Sequence, residues 1–143
     1  MEILKEGDKK LRTKATRIAS IDDTLRSICS NMVETMLSSG GIGLAGNQVG
    51  YLKRVIIVLH DNASIIMINP EILNKSESML SSMEGCLSVP NKSVHVNRYL
   101  EITVKYRTTK GSPKIEKYNG LTARIIQHEI DHLDGILMVD YNN

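Results

Sequence analysis

Apolar residues recur at helical spacing at two places in the chain, and at strand spacing between them. Leu25, Ile28, Cys29, Met32, Val33, Met36 and Leu37 fall at alternating steps of three and one. That stripe predicts an amphipathic helix over 22–38 with one buried face. Asp22 or Asp23 can cap its start, and Gly40-Gly41 can end it. VIIVLH (55–60) and SIIMIN (64–69) are short β-branched runs separated by Asp61-Asn62, which predicts a hairpin of buried strands. Residues 71–83 read as weaker strand and loop. SVHVNR (93–98), LEITVKYR (100–107) and KIEKYNG (114–120) continue as strands, the last after a Lys-Gly-Ser-Pro turn. A second helix is predicted over 121–134, with Gly135 as its C-terminal stop. Residues 1–20 show no clear period and read as an extended arm. The pattern predicts an α+β fold, with antiparallel strands packed around one central helix.

Composition bounds this picture. The 143 residues suit a single domain, expected over 1–143. Trp and Phe are both absent, so Ile, Leu, Val and Met must build the core. Lys and Arg number 18 against 16 Asp and Glu. So balanced a charge offers no strong field for nucleic acid or an anionic membrane, and neither is expected as a partner. The start, MEILKEGDKK, lacks the apolar core of a signal peptide, and the longest apolar runs are too short to span a bilayer. With only Cys29 and Cys86, a cytoplasmic protein with reduced thiols is the simpler expectation. Cys29 lies inside the helical stripe and reads as a small buried hydrophobe.

Residues 127–135, QHEIDHLDG, contain the pentapeptide HExxH. On a helix, His128 and His132 share one face and can reach one metal ion. Leu121 and Ile125 precede them on that face and give the site an apolar flank. Glu129 points beside the ion, where a base for activating water belongs. A catalytic metal needs a third protein ligand and an open position. An extended metalloprotease motif would supply a third His shortly afterwards, but LDGILMVDYNN follows, with Asp134 and Asp140 poorly placed. The candidates elsewhere are His60, His95, Cys86 and the remaining carboxylates. His95 alternates with Val94 and Val96, and reads as a solvated strand histidine; His60, ending a strand beside a turn, reads the same way. Cys86, in EGCLSVP and outside any apolar stripe, is the better ligand. A Cys-His-His set suits Fe(II), Zn(II), Ni(II) or Co(II).

Three segments together resemble one family, the peptide deformylases: GIGLAGNQ (41–48), EGCLS (84–88) and HEIDH (128–132), in the family's order. The resemblance spans almost the whole chain. It implies a cytoplasmic metallohydrolase that removes formyl from the N-terminal formyl-methionine of nascent polypeptides, with Fe(II) as the ion in the cell. It makes Cys86, His128 and His132 the metal ligands and Glu129 the general acid/base. Gln48 and the Leu87 N–H become donors to a developing oxyanion. Gly43 and Gly85 fall where the backbone approaches substrate closely. Ile42, Leu121 and Ile125 are expected to line a methionine pocket, and residues 42–44, including Leu44, to pair with the substrate backbone as a strand. Asp131 is expected to form a structural salt bridge with Arg98. Two departures stand out. Gly46 replaces the second Ala of the first motif, adding backbone freedom beside Gln48. The chain ends at Asn143, short of the C-terminal helix of typical bacterial members, as in shortened viral forms, which puts ribosome contact in doubt. The competing readings are a catalytically idle metal- or peptide-binding module on the same fold and, more weakly, a broad metalloprotease.

Overall fold

The computed structural model describes residues 1–141. The first helix, α1, spans Asp23–Ser38, and the Asp22 side chain accepts from Leu25 N–H at 2.9 Å. It ends in a left-handed Gly40, φ +73°, with Gly40 N–H donating to Leu37 C=O and Gly41 N–H to Met36 C=O. This paired 5→2 and 6→1 pattern satisfies carbonyls that the helix leaves orphaned. The predicted stripe is buried at Leu25, Cys29, Met32 and Met36 and half-buried at Ile28 and Val33, but Leu37 at its end is 54% exposed. The chain turns away at Gly40 before a neighbour can cover it.

Seven strands follow: β1 Gly43–Ala45, β2 Val55–His60, β3 Ala63–Lys75, β4 Met79–Cys86, β5 Val89–Tyr99, β6 Glu101–Arg107 and β7 Pro113–Asn119. The second helix, α2, is Gly120–Leu133. Five strands form one antiparallel sheet in the order β1-β2-β3-β6-β7, and β4 and β5 form a separate hairpin. The β2–β3 turn places Asp61 and Asn62 at positive φ, 49° and 65°, as a two-residue hairpin loop of type I′ requires. The segment predicted as weak strand and loop is in fact more regular. β3 runs on to Lys75 across a register shift between Ile68 and Glu71. Asn69 (φ +52°) and Pro70 lie at the shift; proline cannot donate to the ladder, and the hydrophobic alternation is broken there.

The five-stranded sheet is covered on both faces, which explains the unbroken VIIV of β2. Val55 and Ile57 pack with Leu25, Cys29, Met32 and Met36 of α1. Ile56 and Val58 pack with Ala123, Ile126 and Leu133 of α2. A third cluster joins Val89, Val94 and Val96 of β5 to Leu11, Leu137 and Met138. α2 therefore lies between the large sheet and the β4–β5 hairpin, the central position predicted for it. The N-terminal arm is extended except for one 3-10 turn at Lys9–Arg12, which buries Leu11. Asn69 ties the arm down by accepting from Ile18 N–H and donating to Ile18 C=O. Among the described residues no helix is long and apolar enough to cross a membrane.

Gly46 is required by space rather than freedom. A Cβ there would lie 2.5 Å from the Tyr51 carbonyl oxygen and 2.6 Å from that of Lys53. Gly135 ends α2 at φ +76°, and a Cβ on it would lie 2.6 Å from the Arg12 carbonyl oxygen. Gly135→Ala is therefore expected to cost about 2 kcal/mol or more, of which about 1 kcal/mol is the left-handed backbone. Gly7→Ala, at φ +104° with nothing within 4 Å, isolates that backbone part. Urea unfolding of both variants is the check, and equal losses would mean the Arg12 contact carries no weight.

Candidate metal centre

α2 carries His128 and His132 one turn apart, and the β4–β5 turn brings Cys86 against them. Candidate ligand atoms of the three residues all lie within 4.8 Å of one another. Cys86 Sγ and His132 Nε2 are 3.3 Å apart. Bond lengths of about 2.0–2.3 Å to a tetrahedral ion separate its ligands by roughly 3.3–3.8 Å, so the spacing fits. Both imidazoles are buried and Cys86 is partly so. Burial holds His132 neutral, down to about 3, which is the form that binds metal. Burial alone would also depress His128, but Glu129, Cys86 and Glu84 raise it instead. The same negative groups would attract a metal cation.

His128 Nδ1 lies 2.8 Å from Glu84 Oε1. Glu84 also accepts from Arg98 Nε and Nη2, both at 2.9 Å, and from Arg124 Nη1 at 2.6 Å. Burial would push this carboxyl up, but hydrogen bonds from Arg98 and His128 outweigh it and pull it down to about 2. A carboxylate held ionised can only accept. In the neutral ring that binds metal, His128 Nδ1 must then carry the proton, leaving the Nε2 lone pair for the ion. Arg98 Nη1 continues to Asp131 Oδ2 at 2.6 Å, which also accepts from Tyr141 OH at 2.7 Å. The expected Arg98–Asp131 bridge is present, as part of a larger network. Glu84, Arg124 and Tyr141 escaped the sequence reading. One signal was available: Arg124 stands four residues before His128, on the face that packs inward.

Glu129 is buried, and its Oε1 has no hydrogen-bond partner among the described residues. Burial pushes its carboxyl up to about 7, with His128 opposing. The carboxyl lies over β1: a Cβ on Gly43 would sit 2.4 Å from Glu129 Oε2 and 2.8 Å from Ile125 Cγ2. Gly43 is therefore needed to admit Glu129.

These residues line a cleft of about 440 Å³ between segments 40–43 and 83–92 and α2. Gln48, Gly85, Cys86, Leu87, His128 and Glu129 all reach it. Ile125 forms a wall, while Ile42 and Leu121, 47% and 64% exposed, form an apolar lip. Leu44 is the exception among the expected site residues. It is fully buried against α1 and does not line the cleft. Leu59 N–H donates to Ile42 C=O, so pairs 42/59 and 44/57 carry the ladder bonds to β2. The backbone of Leu44 thus faces the sheet, and that of Gly43 faces the free edge. His95 is exposed between buried Val94 and Val96, as expected. His60 is only partly solvated; it pairs with Thr122 Oγ1 at 2.8 Å and meets Tyr118 edge-on. Neither approaches the cluster. Cys29 is fully buried, its thiol pushed up to about 11 by burial, and serves packing.

The whole chain has known counterparts. The family model for polypeptide deformylases matches residues 1–143. A peptide deformylase from Picosynechococcus sp. is 50% identical over 139 residues, covering 94% of this chain and 74% of that protein. The crystal structure of peptide deformylase from Thermotoga maritima matches with TM-score 0.96 at 38% identity, covering 98% of this chain and 95% of that one. A probable peptide deformylase from Synechococcus phage S-SSM7 matches with TM-score 0.94 at 42% identity, covering 99% of each chain. Coverage of this extent at these identities, over a fold that sets Cys86, His128 and Glu129 in one cleft with His132 close to the first two, means that the chain belongs to the polypeptide deformylase family.

Proposed function

We propose that this chain hydrolyses the formyl group from the N-terminal formyl-methionine of newly made polypeptides, releasing formate. One observation carries the reading: a Cys-His-His donor set stands at an apolar-lipped cleft, beside a buried Glu129 whose Oε1 has no hydrogen-bond partner among the described residues. A divalent ion held by Cys86 Sγ, His128 Nε2 and His132 Nε2 supplies a Lewis acid that acidifies water and polarises a carbonyl. We take Fe(II) as the ion in the cell; Zn(II), Ni(II) and Co(II) suit the same donors.

The remaining roles follow from the side chains. Glu129, raised to about 7 by burial, can take a proton near neutral pH and give it back. It accepts a proton from the water that attacks the formyl carbon. It then delivers that proton to the amine nitrogen as the C–N bond breaks. Negative charge develops on the formyl oxygen, and Gln48 Nε2 and the Leu87 N–H are the donors that meet it. The substrate backbone adds to the free edge of β1 through Gly43, a contact blind to side chains. Gly85, whose Cβ position is open space, leaves room on the opposite wall. Ile42, Leu121 and Ile125 receive the methionine side chain.

The decisive assay uses protein purified anaerobically, with its metal measured, then loaded with Fe(II) and given a formyl-Met tripeptide. Formate release is expected to fall by about 10²–10⁴-fold in Glu129→Ala. No formate above that variant's level would sink the enzyme reading. Cys86→Ala is expected to lose the metal; wild-type metal content would mean the third ligand is misassigned. Glu84→Gln is expected to weaken metal affinity by about 10–100-fold, since His128 loses its charged support. Competition against a chelator measures this, and an unchanged affinity would remove Glu84 from the account.

A further inference from the structure

Gln48 is held by more than its place in the glycine-rich loop. Its Oε1 accepts from Ala45 N–H at 2.9 Å, which settles which end of the carboxamide is oxygen. Nε2 donates to Ser88 Oγ at 3.1 Å and lies 3.7 Å from Cys86 Sγ. Gln48 and Ser88 are 1% and 0% exposed, so no bulk water competes for either group. The terminal torsion of glutamine is broad, and here the carboxamide plane is held at both ends, by Ala45 N–H at the oxygen and by Ser88 Oγ at the nitrogen. Ser88 Oγ takes one of its two hydrogens and thereby directs the other.

The backbones of the same two residues are gripped from outside the site. Leu4 N–H donates to the Gln48 carbonyl at 2.7 Å, and Glu6 N–H donates to the Ser88 carbonyl at 2.8 Å. Residues 4 and 6 present their amides on one edge of an extended segment, as a period of two dictates. Glu6 is tied in turn to Lys92 at 3.3 Å. The arm therefore bridges the loop that carries Gln48 and the turn that carries Leu87 and Ser88.

We propose that Ser88 is a positioning residue for the reaction. It locks the Gln48 carboxamide with an N–H aimed into the site, while segment 4–6 keeps the two loops at the separation this bond needs. The proposal rests on Gln48 being a donor to the developing oxyanion. A donor fixed in advance costs no reorganisation when charge appears, so Ser88 should act on turnover and not on substrate binding or on the metal.

The test is a double-mutant cycle on the metal-loaded full chain, with a spectroscopic readout beside it. Ser88→Ala is expected to lower kcat about tenfold, with KM and metal content near wild type. In a Gln48→Ala background the same change should cost no more than about twofold, because the group it orients is gone. Equal losses in both backgrounds would mean that Ser88 acts independently, and the proposal fails. If Gln48→Ala lowers kcat while Ser88→Ala does nothing, only the positioning role falls. If Gln48→Ala leaves kcat intact, the oxyanion reading fails and takes the proposal with it. In the zinc-loaded protein, the Gln48 side-chain amide should give a slowly exchanging NMR pair in the wild type. In Ser88→Ala that pair should shift and exchange faster; an unchanged pair overturns the clamp even in a protein without turnover.

Discussion

Glu84 is a carboxylate buried between the β4–β5 hairpin and α2, and the arrangement of the site follows from how it is satisfied. Alone in that position its desolvation would cost several kcal/mol. Arg98 reaches it from β5, and Arg124 and His128 reach it from α2. Each partner is thereby fixed in direction. The hairpin is bound to the helix at the level of the candidate metal ligands, and His128 is turned so that Nε2 faces Cys86. A carboxylate behind a metal-binding histidine both sets its tautomer and raises its basicity. Removing Glu84 would leave Arg124 buried without its carboxylate and His128 Nδ1 without its acceptor.

The same contact explains why α2 sits between two sheets. One of its faces packs apolar side chains onto Ile56 and Val58. The opposite face carries Arg124, His128 and Asp131 toward the hairpin. Dispersion and hydrophobic burial fix the helix on the first side, and directional charge-assisted bonds fix it on the second. The two candidate histidine ligands thus stand on a rigid helix, while Cys86 comes from a tight turn held by that network.

Local chemistry was legible in the sequence; chemistry assembled across the fold was less so. The HExxH spacing needs only helical geometry, so His128, Glu129 and His132 could be read directly. Cys86 stood out because it lay apart from any apolar stripe. Both ends of α1, from Asp22 or Asp23 and Gly40-Gly41, and the end of α2, from Gly135, could be read in the same way. Glu84 did not, because a charged residue on a strand is ordinarily exposed, and its partners lie 14 to 44 residues away. The full length of β3 was hidden by the bulge at Asn69-Pro70, which shifts the alternation by which strands are recognised. Leu44 was placed on the substrate because a strand edge was foreseen, but which residues of a three-residue strand face that edge depends on its pairing with β2. Gly43 was assigned to substrate approach, yet the closest group over its Cα is Glu129.

Glu84 and Glu129 flank the same histidine and meet opposite environments. Glu84 lies in a network of two carboxylates, Glu84 and Asp131, and two guanidiniums, Arg98 and Arg124. That balance tolerates burial and keeps Glu84 ionised, at about 2. Glu129 lies outside the network. Its Oε1 is without a partner among the described residues, and burial takes it to about 7. Titratable groups driven apart in this way mark a division of roles. The compensated carboxylate cannot trade protons near neutrality and can only hold His128. The uncompensated one is costly to ionise until a cation arrives beside it, which suits the proton-carrying role proposed for it. Gly43 makes room for that carboxyl beside β1, since any side chain at this position would occupy the space of the Glu129 carboxyl.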